Sequence, residues 1–307
     1  MFLRTCIILA FTLLLNSNSS YAEKKIVQEG NRFSLPELPD TLETPKDRAN
    51  YLVSHYWDNY SFTETTDNLK ATEQIFVDFI NILPHADREV AVTAIRNLIS
   101  GAERKQEKET YSRLLKLAEK YLYEIQSPFH QDEYYIPILQ HLLSEESTTE
   151  KSDAESYLLQ SKLERLLKNR QGELATDFLF TLASGEESSL YEQEATPVLL
   201  LFYDPECGNC KETIRELEVS SSISTLVQQN KLKVLAVCLN NNTSVWKDYQ
   251  QHFPSEWISA YDATLSIRDK GLYELRMLPT IYLLDDEKKV LLKDTKLDAL
   301  ENVISGF

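Results

Sequence analysis

Residues 197–203 form one uninterrupted apolar segment, Pro-Val-Leu-Leu-Leu-Phe-Tyr, which restricts what the chain can fold into. A strand with one face in water alternates apolar and polar residues, whereas a strand that is covered on both faces does not. The segment therefore predicts a central strand with packing layers on both sides. Shorter apolar runs alternate with helical patterns after it, which favours an α/β sandwich with helices flanking a mixed sheet.

Before residue 170 the apolar residues follow helical spacing instead. Thr44, Pro45 and Asp47 supply an N-cap hydroxyl, a proline for the first turn and an acidic residue, so a helix is predicted to begin there. We expect residues 44–170 to form an all-α domain that precedes an α/β domain at residues 172–307. A second helix is predicted to begin at Asp67, and a third is predicted to end at Gly101. Two more are predicted to cover residues 111–125 and 152–169. Between these two, a shorter helix is expected to have Pro137 in its first turn or at a kink.

The α/β domain is predicted to close with a hairpin and a helix. Residues 280–284 and 289–292 flank the turn Asp285-Asp286-Glu287, and a helix is expected from Leu297 onward. The other predicted elements are strands near residues 178–182, 198–203, 233–239 and 257–260 and helices at residues 207–219, 244–252 and 265–275.

The first 22 residues have the pattern of a secretory signal peptide. Basic Arg4 is followed by an apolar stretch at residues 6–15 and by small polar residues that end at Ala22. We expect cleavage near Ala22 and a periplasmic or secreted mature protein, in which residues 23–43 form an extended leader. No later apolar run approaches the roughly 20 residues that a membrane helix needs, so the mature chain is not expected to span a membrane.

The charge balance excludes nucleic acid as a main partner. The formal net charge is −16, and removing Arg4 with the signal peptide makes the mature chain one unit more negative. Proteins that bind nucleic acid draw most of their affinity from Lys and Arg that neutralise phosphates. A chain this acidic would repel the phosphate backbone.

Three cysteines remain after the signal peptide, and their spacing indicates a reactive role instead of a structural disulfide between distant segments. Cys207 and Cys210 lie three residues apart where the apolar strand is followed by a helix, and Cys238 stands alone. The unpaired N–H groups at a helix N-terminus favour a thiolate. We therefore predict that Cys207 attacks a disulfide, that Cys210 resolves the mixed disulfide, and that the two form a redox-active disulfide.

A second functional segment is Met277-Leu278-Pro279-Thr280-Ile281, which leads into a predicted strand. A proline at the mouth of an apolar strand is uncommon, and a cis Leu278–Pro279 peptide explains it. Such a bend would expose the Leu278 backbone beside the dithiol. Leu278 and Pro279 are therefore predicted to bind an extended substrate.

Taken together, the strand, the CxxC dithiol and Leu278-Pro279-Thr280 resemble thioredoxin-fold proteins. More narrowly, they resemble the TlpA/ResA group of exported thiol-disulfide oxidoreductases. Residues 172–178 resemble the extra N-terminal strand of that group. The helical part resembles a domain of unknown function that precedes such modules. The resemblance implies reduction or isomerisation of disulfides in other proteins, with a membrane thiol carrier as reductant and with no cofactor and no metal.

The sequence departs from the resembled group around the dithiol. Thioredoxins hold a buried carboxylate six residues before the first cysteine, where this chain has Leu201, and the TlpA/ResA group often has a Glu where this chain has Thr213. Asp204 and Glu206 flank Cys207 instead. Their negative charge works against its thiolate.

Several alternatives stay open at the level of sequence. The two cysteines could form a structural disulfide, or half of a zinc site, although zinc needs four ligands and neither a second CxxC nor an adjacent His is present. The protein could be a binding module that uses the thioredoxin-like part as a scaffold. A peroxidase is a third reading, but the related peroxiredoxins carry a Thr where this chain has Asp204. We interpret Cys238 as a buried core residue and the tyrosines of the helices as packing residues.

Overall fold

The structure is a computed structural model that describes residues 33–62, 69–105 and 108–307. The predicted signal peptide, residues 23–32 of the leader and Asp67 lie outside the described residues. Residues 33–43 contain neither helix nor strand. The chain divides into two compact units between Leu163 and Glu164, a few residues before the domain boundary expected at residues 170–172. That the two parts fold independently stays a prediction.

The first unit is helical in its described residues. Its first helix begins where the sequence predicts it, because the Thr44 side chain accepts a hydrogen bond from the backbone N–H of Asp47 at 3.1 Å. The sixth helix extends past Leu163 with its last turn. The helices are α1 Pro45–His55, α2 Leu69–Ile82, α3 Arg88–Arg104, α4 Lys108–Ala118, α5 Asp132–Leu143 and α6 Asp153–Leu166, with a 3-10 turn at Leu83–His85 and a π-helical turn at Glu119–Tyr123.

One expectation about the end of these helices is wrong. Helix α3 does not end at Gly101 but continues to Arg104, because the apolar stripe that it buries continues through Ala102. A glycine inside a helix costs about 1 kcal/mol, which such burial can offset. Pro137, expected in a first turn or at a kink, lies in the second turn of α5, and its neighbours Ile136 and Ile138 are buried.

Aromatic side chains form much of the core of this unit. Tyr56 is 3% exposed, and its hydroxyl donates a hydrogen bond to the carbonyl of Ile75 at 3.1 Å. Tyr60 and Tyr135 are also buried. For these three tyrosines the expectation of packing residues is confirmed.

The second unit is a seven-stranded mixed sheet flanked by helices, as the sequence predicts. The strand order is β2-β1-β5-β4-β3-β6-β7. The strands are β1 Leu179–Leu182, β2 Glu187–Ser189, β3 Val198–Tyr203, β4 Lys233–Cys238, β5 Ile258–Tyr261, β6 Thr280–Leu284 and β7 Val290–Leu292, and the helices are α7 Gly208–Val219, α8 Ser221–Gln228, α9 Thr243–Tyr249, α10 Ser266–Asp269 and α11 Leu297–Ile304.

Strand β3 is the central strand that the apolar segment predicts. All six of its residues are buried, and its side chains enter the two core clusters on opposite faces of the sheet. It pairs in parallel with β4 and antiparallel with β6. The carboxyl ends of β3 and β4 therefore meet the amino end of β6 at one edge of the sheet.

Three predictions for this unit need correction. The helix expected at residues 265–275 is limited to α10, because Gly271 takes a positive φ of 55° that ends it. The sequence prediction places no element at α8, although Ser220 caps this helix by accepting from the Ile223 N–H at 3.4 Å. Residues 172–178 do not form a strand; they make one isolated bridge, Leu174 with Lys289.

The segment before residue 172 belongs to the second unit through buried polar contacts. Asn169 is 5% exposed, and its side-chain carbonyl accepts from the Thr176 N–H at 2.6 Å. Its amide donates to the Leu272 carbonyl at 2.9 Å. These bonds explain why the unit begins earlier than the polar sequence around residue 170 suggests.

None of the helices in the described ranges combines the length and the apolar character that a bilayer crossing requires.

The side chain of Glu103, on helix α3, forms hydrogen bonds with the loop that follows α5. Its carboxylate contacts His141 Nε2 at 2.7 Å and accepts from the hydroxyls of Thr149 at 2.8 Å and Ser147 at 3.0 Å. Burial of this carboxyl acts to raise its pKa, but the hydrogen bonds from Thr149, His141 and Ser147 outweigh burial and lower the pKa to about 2. The charged form of Glu103 therefore stabilises the helical unit.

We expect Glu103→Gln to lower the free energy of unfolding by about 2 kcal/mol at pH 7, because buried hydrogen bonds to a charged group are lost. The folded-state pKa of Glu103 lies below the value of 4.5 for a free carboxyl, so this contribution is full above that pH and is lost as the pH falls toward 2. Urea unfolding followed by circular dichroism at pH 7 and pH 3 measures both effects. Exposed Glu146 lies in the same loop, and Glu146→Gln is the control; equal stabilities of the two variants would contradict the assignment.

Candidate active site

The fold brings three loops together at the edge of the sheet where β3 and β4 end and β6 begins. The loop after β3 carries Cys207, the loop after β4 carries Asn240, and the loop before β6 carries Leu278. The pairing of Tyr203 with Cys238 and of Phe202 with Thr280 fixes the three loops against one another. The dithiol segment and the proline segment, which are far apart in sequence, therefore lie side by side.

Cys207 is the N-cap residue of helix α7, with extended backbone at φ −78° and ψ 123°. Its Sγ accepts a hydrogen bond from the backbone N–H of Cys210 at 3.3 Å. The side chain is partly exposed. The sulfur therefore lies where unpaired amides and the helix dipole favour negative charge, and a substrate can reach it.

Cys210 lies one turn further into α7 and has no exposed surface. Its sulfur lies 3.5 Å from the backbone nitrogen of Asp204, which donates to it. Burial raises the pKa of Cys210 to about 12. The two thiols of the pair therefore differ sharply in access.

The Leu278–Pro279 peptide is cis, as the sequence predicts. The Leu278 carbonyl lies 3.6 Å from Cys207 Sγ, and the thiol donates to it. The Thr280 hydroxyl donates to the Met277 carbonyl at 2.6 Å and so ties the loop to the start of β6. The structure thus brings Cys207, Cys210 and Leu278 together, while the substrate-binding role of Leu278 and Pro279 stays a prediction.

Asn240 is a site residue that the sequence did not reveal. Its side-chain amide donates to Asp204 Oδ1 at 3.0 Å and to Glu206 Oε2 at 3.1 Å. The backbone N–H of Glu206 also donates to Asp204 Oδ1, at 2.9 Å. Asn240 therefore holds the two carboxylates beside Cys207 in place. Its one sequence signal was that it comes soon after a buried strand, which is too weak to single it out.

The core beneath the dithiol is apolar. Leu201 has no exposed surface and pairs with Ala236 on β4 and Ile281 on β6, so the position that holds an acid in thioredoxins is a packing position here. Cys238 is buried as well, which confirms it as a core residue, and burial raises its pKa to about 11. Within the described residues, no group of three or more His, Cys, Asp or Glu side chains is arranged to hold a metal ion.

A mixed sheet, a cysteine pair at the start of the helix after the central strand, and a cis proline beside it define a thioredoxin-like protein. The chain belongs to the family described as Domain of unknown function (DUF5106), whose model matches residues 14–169. This match confirms that a domain of unknown function precedes the thioredoxin-like part. The expected resemblance to thioredoxin-fold proteins is confirmed.

The chain is similar to two thioredoxin-like proteins over most of their lengths. One is a thioredoxin-like protein from Bacteroides caccae, whose crystal structure matches this chain with 38% sequence identity and a TM-score of 0.79. The matched region covers 89% of this chain and 98% of that chain. The thioredoxin-like protein YneN of Bacillus subtilis is 31% identical over 123 residues, which are 38% of this chain and 67% of that protein.

We expect iodoacetamide to label Cys207 at least about 100 times faster than Cys210 or Cys238 in the reduced mature protein at pH 7. The reason is that Cys210 and Cys238 have no exposed surface and that burial raises the pKa of each. Peptide mass spectrometry after timed quenching measures the three rates. Labelling in guanidinium chloride, where all three thiols should react alike, is the control, and faster labelling of Cys210 in the native protein would refute the assignment.

Proposed function

We propose that this protein is an exported thiol-disulfide oxidoreductase that reduces or isomerises disulfides in other proteins through Cys207 and Cys210. The observation that carries the proposal is the asymmetry of the pair. Cys207 Sγ is accessible at a helix N-terminus, 3.3 Å from an amide, and Cys210 is buried one turn behind it. A dithiol with one accessible and one buried sulfur suits attack followed by resolution.

The reaction would proceed in two exchanges. The Cys207 thiolate attacks one sulfur of a substrate disulfide, and the other substrate sulfur leaves as a thiolate. Cys210 then attacks Cys207 Sγ in the mixed disulfide, which releases the second substrate sulfur and leaves a Cys207–Cys210 disulfide. Two electrons pass from the dithiol to the substrate, so a reductant must return them. We propose a membrane thiol carrier for this role.

Leu278 and Pro279 would hold the substrate chain during attack. The Leu278 carbonyl lies within 3.6 Å of Cys207 Sγ, so a polypeptide in contact with the sulfur also reaches this backbone. An extended segment can pair with a backbone group at this position, and main-chain hydrogen bonds bind it without requiring a particular sequence. This arrangement suits proteins as substrates better than small disulfides.

Export is proposed from the first 22 residues, which lie outside the described part of the chain. Their basic residue, apolar core and small residues before Ala22 have the pattern of a cleaved signal peptide. N-terminal sequencing of the protein recovered from the exported fraction should begin at Glu23. Recovery of the chain only in the cytoplasm with Met1 intact would contradict export.

Disulfide reduction can be measured with insulin and a thiol reductant. We expect the wild-type protein to accelerate insulin reduction and Cys207→Ser to lose at least about 100-fold of that activity, because the nucleophile is missing. Cys210→Ser should accumulate a mixed disulfide with insulin through Cys207, which is visible as a larger species on a non-reducing gel. Cys207→Ser should accumulate none.

Cys238→Ala is the matched control, because it removes a buried thiol that the proposed reaction does not use. It should keep insulin reduction within about threefold of the wild type. If neither the wild type nor any variant accelerates insulin reduction and no mixed disulfide is trapped, the thioredoxin-like unit acts as a binding scaffold and the proposed activity is wrong.

A further inference from the structure

The resolving thiol has a proton that must be removed before it can attack. Cys210 has no exposed surface, and burial raises the pKa of its thiol to about 12, so at neutral pH it carries its proton. Water has no direct access to the sulfur. Leu201, the residue beneath the dithiol, cannot accept a proton. Another group of this chain must therefore do so during the resolving step.

Asp204 is in contact with the sulfur of Cys210. Its backbone N–H donates to Cys210 Sγ at 3.5 Å, and its carboxylate is on the same residue, within about 4 Å of that nitrogen by covalent geometry. The carboxylate is oriented by the amide of Asn240 and the N–H of Glu206, which both donate to Oδ1. Oδ2 is then the oxygen that can take up a proton.

The other titratable groups near Cys210 are poorer acceptors. Burial raises the pKa of Tyr203 and the pKa of Tyr249, so both phenols are already protonated at neutral pH. Cys238 on β4 faces the same core, and burial raises its pKa to about 11. Cys207 is bonded to the substrate at this stage. The other charged groups that act on these side chains are Arg268, near Cys238, and Arg215 and Glu218, near Tyr249.

We propose that Asp204 is the catalytic base of the resolving step: its carboxylate takes the proton of Cys210 while its own backbone N–H stabilises the sulfur as it becomes negative. The Cys210 thiolate then forms the bond to Cys207 Sγ, the bond between Cys207 and the substrate sulfur breaks, and the substrate leaves as a thiolate. The proton on Asp204 passes to solvent or to that thiolate. The inference rests on the proposed function, because it assigns a residue to its second exchange.

The two exchanges can be timed separately with the aromatic disulfide dithiobis(2-nitrobenzoate), which releases one coloured thiolate at each step. With the reduced mature protein in excess, which lacks Cys6, the first release reports attack by Cys207 and the second reports resolution by Cys210. We expect Asp204→Asn to slow the second release at least about tenfold at pH 7 and to change the first by less than about threefold. The deficit should shrink as the pH rises toward the pKa of Cys210, because hydroxide replaces the missing base.

The sign of the change distinguishes a base from a neighbouring charge. The negative charge of Asp204 acts to raise the pKa of Cys210, so a purely electrostatic role predicts a faster second release in Asp204→Asn. Glu212→Gln removes an equal charge from an exposed position two residues after Cys210, and its second release should stay within about threefold of the wild type. Asp204→Glu, which keeps a carboxylate, should resolve faster than Asp204→Asn. A second release in Asp204→Asn that is unchanged or faster would overturn the proposal.

Asn240→Ala tests the same base with Asp204 left in place, and it covers the case in which Asp204→Asn does not fold. Loss of the orienting amide should slow the second release several-fold and spare the first; an unchanged second release would overturn the proposal. Failure of the proposed function is recognised separately, since the wild type would then show no second release at all.

Discussion

The burial of strand β3 on both faces is the constraint from which the site follows. Because its six residues are all buried, the strand has to lie in the middle of the sheet, with β4 on one side and β6 on the other. Polar residues can follow only after Tyr203, where the buried strand ends. The dithiol is therefore displayed at the edge of the sheet, and the loops after β4 and before β6 are brought to it by strand pairing.

The same constraint makes the two sulfurs unequal. Helix α7 starts right after the loop that follows β3 and packs on the sheet, so its first turn has one residue at the surface and another in the core. Cys207 caps the helix and Cys210 joins the cluster that contains Leu201 and Tyr203. No special side chain is needed to differentiate the thiols, because a three-residue step at a helix start moves a side chain from solvent to interior.

The sequence predicts features that depend on neighbouring residues and misses those that depend on distant ones. Strand β3 and the Thr44 cap were predictable because the pattern and the structure lie in the same few residues. Asn240 was not, since its partners Asp204 and Glu206 are 36 and 34 residues away and become neighbours only through the parallel pairing of β3 with β4. The early start of the second unit is a similar case, because Asn169 reaches Leu272 across 103 residues.

Burial determines which positions around the dithiol can carry a charged side chain. A carboxylate at the position of Leu201 would lie in an apolar core and cost several kcal/mol of desolvation. The first position after β3 that is not fully buried is Asp204, and there the amide of Asn240 can stabilise a carboxylate. Through its backbone N–H, Asp204 also contacts the sulfur of Cys210. The apolar core therefore excludes an acid from beneath the dithiol, and the chain carries an acid at the rim instead, on the residue that we propose as the base of the second exchange.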